Sequence, residues 1–389
     1  LDLNNVDVLK LRVGYGVTGS LPNESGLAQD FYEYRFQGGG NVTKTRDANP
    51  DLKWEQKQEI NLGVDFGLGS KLTGSLDVYT RDVKDFILQN NNAPVSIYPT
   101  GTIFDNQGAL KTNGIELALN YNSFQFGEIT WNPGIVLSSY KTTLEEYIVD
   151  QQMRAELGAP GQNGTFMIRT KVGEEIGQIW GPVFAGVEGN GAPRFEDLNG
   201  DGQVISNPGA ALDPNGDFKQ LGSGIPTMEL GWTNQLTYKQ WDLNAFFRGA
   251  FGHSLVNNFR AFYEPIDPGA INSYNRITTD KAVSGLTSAQ YSSLYVEKAD
   301  FFKLDNITLG YNIKPSKHLK SMRVYFNVQN AFVITNYTGI DPEPVLQDFG
   351  SADNGGFTGI TPDVLSPGID RRNSYFTSRT FTFGVNIGL

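Results

Sequence analysis

The closing segment of the chain alternates with a period of two. Phe381, Phe383, Val385, Ile387 and Leu389 fall on one side, and Thr380, Thr382, Gly384, Asn386 and Gly388 fall on the other. Successive side chains of a β-strand point to opposite faces, so this spacing predicts a strand with one apolar and one polar face. The same split recurs upstream. Ile60, Leu62, Val64 and Phe66 alternate with Asn61, Gly63, Asp65 and Gly67, and Leu72, Leu76 and Val78 oppose Thr73, Ser75, Asp77 and Tyr79. Ile115, Leu117, Leu119 and Tyr121 oppose Glu116, Ala118, Asn120 and Asn122, and Val324, Phe326 and Val328 oppose Arg323, Tyr325, Asn327 and Gln329.

About ten strands are predicted on this basis. The first five are Leu9 to Gly19, Glu55 to Leu68, Lys71 to Leu88, Ala109 to Phe126 and Ile129 to Tyr147. The second five are Met228 to Lys239, Trp241 to Gly252, Asp300 to Pro315, Ser321 to Asn336 and Ser378 to Leu389. The connections between them alternate in length. Gly69-Ser70, Gly127-Glu128, Gln240 and Ser316 to Lys320 are short, whereas 20–54, 89–108, 148–227, 253–299 and 337–377 are long. Bacterial outer-membrane barrels put short turns in the periplasm and long loops outside, and counting back from the carboxyl terminus places every long connection outside. Asp65, Asp77, Glu116, Asp242, Arg248 and Arg323 all fall on polar faces, where charge is costly against hydrocarbon but comfortable against a wet lumen. The expected fold is all-β, a transmembrane antiparallel β-barrel with long extracellular loops.

Composition narrows the function. The 389 residues contain no cysteine, which removes disulfides, thiolate metal sites and cysteine nucleophiles, and only His253 and His318 supply imidazole. A net charge of −11 argues against nucleic-acid binding, which needs a cationic footprint for the phosphates. No apolar run is long enough for a spanning helix, and a barrel needs none, since only every second wall residue meets lipid. The opening Leu1 to Lys10 has no signal-peptide pattern, so either a leader has been removed or the chain is a carboxyl-terminal piece.

The sharpest chemical motif lies in the 148–227 connection. Asp197, Asn199 and Asp201 place oxygens at positions 1, 3 and 5 of a calcium-type loop, Gly202 supplies the sharp turn, and Gln203 offers its backbone carbonyl. Position 12 is Pro208, so a closing ligand must come from elsewhere, with Asp213 and Asp217 as candidates. The alternative is an Asx-rich turn held by its own amides. Aromatic groups Phe31-Tyr32-Tyr34, Phe259-Phe262-Tyr263, Phe301-Phe302 and Tyr375-Phe376 are expected to pack among loops or join the outer aromatic girdle, ahead of stacking on sugars. Pro342, Pro344, Pro362 and Pro367 stiffen the last long connection, and His318 lies in a solvated lysine-rich turn. His253 near Glu264, Asp267 and Asp280 permits a surface-protease reading, in which acidic groups and an imidazole activate water at the barrel mouth.

Seven segments carry a family resemblance, in order along nearly the full length. They are Leu9 to Gly19, Ala48 to Glu55, Glu59 to Phe66, Leu72 to Tyr79, Arg194 to Gly202, Phe302 to Tyr311 and Ser378 to Asn386. Together they closely resemble the carboxyl-terminal barrel of SusC/RagA-type TonB-dependent transporters. That resemblance implies a barrel of roughly 22 strands, of which residues 1–389 supply about ten, with a plug domain absent from this chain. It also implies a Gram-negative, Bacteroidetes-like outer membrane, a SusD-like surface lipoprotein as lid, and energy from TonB-ExbB-ExbD through the plug. The expected function is active import of glycan oligosaccharides or peptides, with no catalytic residue. The rival readings are a small complete barrel acting as a surface protease, a passive porin-like channel, and a structural or adhesive barrel.

Overall fold

The computed structural model describes residues 5–20, 25–36, 40–90, 93–157, 162, 164–264, 277–288, 290–314, 320–343, 364–371 and 376–388. His318, Asp267, Pro344, Pro362, Tyr375 and Leu389 lie outside them. Ten long strands follow one another as neighbours in a single antiparallel sheet. They are β1 (Val6–Ser20), β2 (Glu55–Leu68), β3 (Leu72–Lys84), β4 (Gly108–Tyr121), β5 (Ile129–Tyr147), β6 (Met228–Tyr238), β7 (Trp241–Phe251), β8 (Phe301–Ile313), β9 (Ser321–Thr335) and β10 (Thr380–Gly388). Each is joined to the next, and short and long connections alternate as the periodicity predicts.

Two predicted strands are shorter than expected, because backbone geometry breaks them. β3 stops at Lys84, where Asp85 takes a positive φ of 56° and Glu55 Oε1 accepts the Ile87 amide, so Ile87–Asn90 turns away into a separate hairpin. β4 stops at Tyr121, because Ser123 at φ 62° gives its amide to Asn132 Oδ1, and Phe124–Phe126 forms its own short strand on β5.

The pairing register lines up like with like. Leu11, Val64, Leu76, Leu117, Leu137 and Leu230 sit side by side on β1 to β6, and Leu243, Leu309, Phe326 and Phe383 do so on β7 to β10. A one-residue slip of any strand would carry its apolar set to the wet face, which is why the register is well specified. These rows are not covered by protein: Leu62 is 53% exposed and Phe383 71%. An apolar band of this extent is the lipid-facing surface of a barrel wall. β1 and β10 each pair on one side only among the described residues, so the ten strands form an open wall and not a closed ten-stranded cylinder.

The buried core lies elsewhere, in the long connections. Strands Gln151–Glu156, Phe166–Lys171, Gln178–Gly181 and Lys219–Ser223 form a four-stranded sheet. Ser254–Asn257 is flanked by Val296–Lys298 antiparallel and Ile369–Asp370 parallel. Met167, Ile168, Ile179, Val256, Ala261, Tyr291, Tyr295 and Ile369 meet in one cluster, so three connections fold into a single outer lobe.

Candidate functional site

The polar face of the wall is held by ion pairs that cross a glycine. Arg12 of β1 donates from Nε to Asp65 at 3.0 Å and from Nη2 to Asp77 of β3 at 2.8 Å, with Gly63 of β2 lying between. A Cβ at Gly63 would meet Asp77 Oδ1 at 2.5 Å and Arg12 Cζ at 2.7 Å. Arg323 of β9 reaches Asp242 of β7 (Nε to Oδ1, 3.0 Å) across Gly310 of β8, where a Cβ would meet Arg323 Nη2 at 2.4 Å. Aromatic rings cover two further glycines, Tyr79 over Gly114 and Tyr325 over Gly384. This packing puts charge and rings flat against the wall and fixes register at the same time. Gly310→Val is therefore expected to destabilise the folded wall by about 1–3 kcal/mol through overpacking. Thermal unfolding in detergent checks it, and an unchanged midpoint would mean that the close approach is not needed.

In the outer lobe the central group is Arg260, 1% exposed, on the short helix Asn258–Tyr263. The helix starts because the Asn257 side chain accepts the Arg260 amide at 3.0 Å. One turn on, Glu264 takes Arg260 Nη2 at 2.9 Å and Nε at 3.2 Å. Glu297 takes Nη1 at 2.8 Å, and the carbonyls of Leu294 and Lys281 take the remaining N–H groups. Glu297 also receives Lys281 Nζ at 2.8 Å, the Thr338 amide at 3.0 Å and Asn257 Nδ2 at 3.2 Å. Burial pushes the Glu297 carboxyl up, but the hydrogen bonds from Lys281, Arg260 and Thr338 outweigh it and hold the group down at about 2. A carboxylate whose folded value is depressed contributes stability above its unfolded value of about 4.3, and that stability is lost as pH falls through the folded value. Amide protection in Ser254–Asn257 is thus expected to fall between about pH 4.5 and 2. Flat protection across that window, read by hydrogen exchange, would contradict the assignment.

The sequence-predicted residues are placed as follows. Asp197 accepts the amides of Gly200 (2.7 Å) and Gly202 (2.8 Å), Asn199 Oδ1 accepts that of Asp201, and Asp201 Oδ1 accepts that of Gln203. Gly202 turns at φ 83°. Asp217, fully buried, accepts the amides of Leu198 and Ile205, both at 2.6 Å, and so clasps the two ends of the loop; Asp213 accepts from Asn215. Among the described residues no group of three or more His, Asp or Glu side chains converges as a metal site. His253 is buried, with Nε2 3.2 Å from the Pro342 carbonyl, while Glu264 is spent on Arg260 and Thr279 and Asp280 is exposed. Among the described residues, His253, Glu264 and Asp280 are therefore not assembled as the protease reading requires. Of the aromatic groups, Phe259, Phe262 and Tyr263 pack on one another, Phe301 is buried beside His253, and Phe302 stacks on Phe247 of the wall at 5.3 Å. Phe31, Tyr32 and Tyr34 are exposed on the hairpin Phe31–Arg35 with Asn41–Arg46, where the Arg46 guanidinium lies over the Phe31 ring at 5.2 Å and Tyr34 meets Phe36 edge-on at 5.1 Å. Sequence reasoning missed Arg260 and Glu297; the Arg260 to Glu264 spacing of one helical turn was the available signal for the first.

A model of the family described as TonB dependent receptor-like, beta-barrel, matches residues 4–331. The chain belongs to that family. Its wall is therefore an outer-membrane β-barrel wall, with the apolar rows facing lipid and the Arg12 and Arg323 pairs facing the lumen. TonB-dependent receptor P3 of Formosa agariphila is 29% identical over 418 residues, covering 99% of this chain and 40% of that protein. TonB-dependent receptor SusC of Bacteroides thetaiotaomicron is 27% identical over 378 residues, covering 88% of this chain and 36% of that protein. Among solved structures, the RagAB peptide importer in its closed-closed state superposes with a TM-score of 0.76 at 18% identity, over 99% of this chain and 41% of that one. The chain thus spans about two fifths of the length of these relatives.

Proposed function

We propose that this TonB-dependent receptor wall works as the carboxyl-terminal part of an active nutrient importer in the outer membrane. Solute is captured outside against the lobe, under a SusD-like lipoprotein. TonB then pulls on a plug that the remainder of the transporter supplies, and the solute passes along the polar face. Glycan oligosaccharides and peptides are the substrate classes. The observation that carries this reading is the pairing of a continuous wet face, lined by the Arg12, Arg81, Asp242 and Arg323 ion pairs, with a folded lobe at the long-connection end. The one-sided pairing of β1 and β10 supports a larger cylinder completed by further strands.

The test is uptake of labelled oligosaccharides and peptides by cells carrying the full-length transporter, with and without TonB and with and without the neighbouring surface lipoprotein. Uptake that needs both supports the importer. Uptake that persists without TonB favours a passive channel instead.

Calcium at Asp197, Asn199, Asp201 and Gln203 belongs to the same proposal, as a stiffener of the outer loop clasped by Asp217. Support comes from the 1-3-5 oxygen spacing and the Gly202 turn. Calcium is expected to raise the lobe's melting temperature and Asp197→Ala to remove the response; equal melting with calcium and with chelator rejects the ion.

A further inference from the structure

We propose that Arg248 and Lys303 form a carboxylate-binding subsite on the wet face, occupied in this structure by the chain's own Glu343. The inference rests on the importer reading for its biological sense, but its geometry stands alone. Arg248 of β7 and Lys303 of β8 are direct register partners near the outer end of the wall. One pair further along, between Phe247–Leu304 and Phe246–Asn306, the register shifts, and the extra residue is Asp305. A bulge of this kind re-aims side chains. Asp305 Oδ2 takes Arg248 Nε at 2.9 Å, which fixes the guanidinium plane and leaves its outer edge, Nη1 and Nη2, pointing away as a fork. Glu343 fills that fork in bidentate fashion, Oε1 to Nη1 at 2.7 Å and Oε2 to Nη2 at 3.0 Å, while Lys303 Nζ reaches Oε2 at 2.9 Å. On the other flank the register partner is Gly231 of β6, which has no side chain to cover the arginine.

The occupant comes from outside the wall. Glu343 belongs to a strap, Tyr337 to Glu343, that is tied to the lobe by Tyr337 Oη to Asp370, Thr338 to Glu297 and the Pro342 carbonyl to His253, and to the segment before β10 by Thr377 Oγ1 to Asp341. The Glu343 side chain is 40% exposed and that of Arg248 35%, so solvent reaches both. Counting charges, Arg248 and Lys303 contribute +2, Asp305 −1 and Glu343 −1; with Glu343 displaced the site carries +1. A wall cation pair already set in the geometry that recognises a carboxylate, and filled by a tethered one, is a receptor for a free carboxylate. Such a group is carried by a peptide carboxyl terminus or by a uronic acid. The tethered glutamate acts as an intramolecular competitor, at an effective concentration of order millimolar.

The experiment uses the purified full-length transporter in detergent, without TonB. Binding is measured for two probe pairs: a short neutral peptide with a free carboxyl terminus against its amide, and a glucuronic-acid disaccharide against its methyl ester. Glu343→Gln is expected to bind one carboxylate probe about tenfold more tightly than wild type, with the neutral counterparts unchanged. The pair that responds identifies the source, and adding Arg248→Gln removes the gain. In wild type, saturating carboxylate probe is expected to raise amide exchange over Tyr337 to Glu343 while the neutral probe leaves it alone. Equal binding of charged and neutral probes by Glu343→Gln, with no change in strap exchange, would show a purely structural ion cluster and overturn the proposal. Lost TonB dependence of uptake with carboxylate binding intact would strike the importer reading and leave the subsite standing.

Discussion

Replacing Arg260 with methionine is expected to loosen the outer lobe by about 3–5 kcal/mol, because the change leaves buried carboxylates without their cation. The side chains of Arg260, Glu264 and Glu297 are 2%, 6% and 3% exposed, so water cannot take the place of the guanidinium. Glu297 keeps Lys281 and Thr338, whereas among the described residues Glu264 keeps the Thr279 hydroxyl and no cation, so Glu264 is the group left uncompensated. Methionine conserves much of the apolar stem, which separates the lost charge from lost packing. The double change Arg260→Met with Glu264→Gln removes much of the orphaned charge and is expected to recover part of the loss. Hydrogen exchange reads it directly: protection falls in Phe166–Lys171 and Ser254–Asn257 and holds in the wall strands. A loss below about 1 kcal/mol would mean that the arginine is not the centre of the lobe.

An arginine at Leu62 is expected to cost about 2–4 kcal/mol, the value for a cation at mid-membrane on the lipid face of a barrel. Leu62 lies midway along Glu55–Leu68, with Val13 and Val78 as its neighbours on either side, and both are also exposed. Its nearest neighbours on that face along and across the strands, Ile60, Val64, Val13 and Val78, are all apolar. One residue back, Asn61 pairs with Gly14 and Tyr79 on the wet face, and lysine there is expected to change stability by about 0.5 kcal/mol or less. Urea unfolding from lipid vesicles measures both. Equal costs at 61 and 62 would contradict the assignment of faces, whatever the size of either.

The wall was legible in the sequence because lipid on one side and water on the other force a strict period on every strand, as in Ile60 to Phe66 and Phe381 to Ile387. Strand ends were legible to within a few residues, except where a local backbone feature intervened. The positive φ of Asp85 and of Ser123 cut β3 and β4 short, and no alternation reports a single residue in the left-handed region. The lobe was not legible. Its core draws Met167 and Ile168, Ile179, Val256 and Ile369 from three connections, and these residues share no period, only a meeting place. The parallel pairing of Ser254–Asn257 with Ile369–Asp370 joins segments more than a hundred residues apart in sequence. Glu343 likewise reached Arg248 from a segment that sequence reasoning treated as a rigid loop.

The chain has no cysteine, so single cysteines at successive positions from Ile60 to Phe66 can each carry one spin label without further change. Collision rates with oxygen, which concentrates in lipid, and with a water-soluble nickel chelate measure the two faces separately in the reconstituted full-length protein. Oxygen access should peak at Ile60, Leu62, Val64 and Phe66, and nickel access should peak at Asn61 and Asp65, in opposite phase. Profiles that rise and fall together, or show no period of two, would contradict a membrane wall.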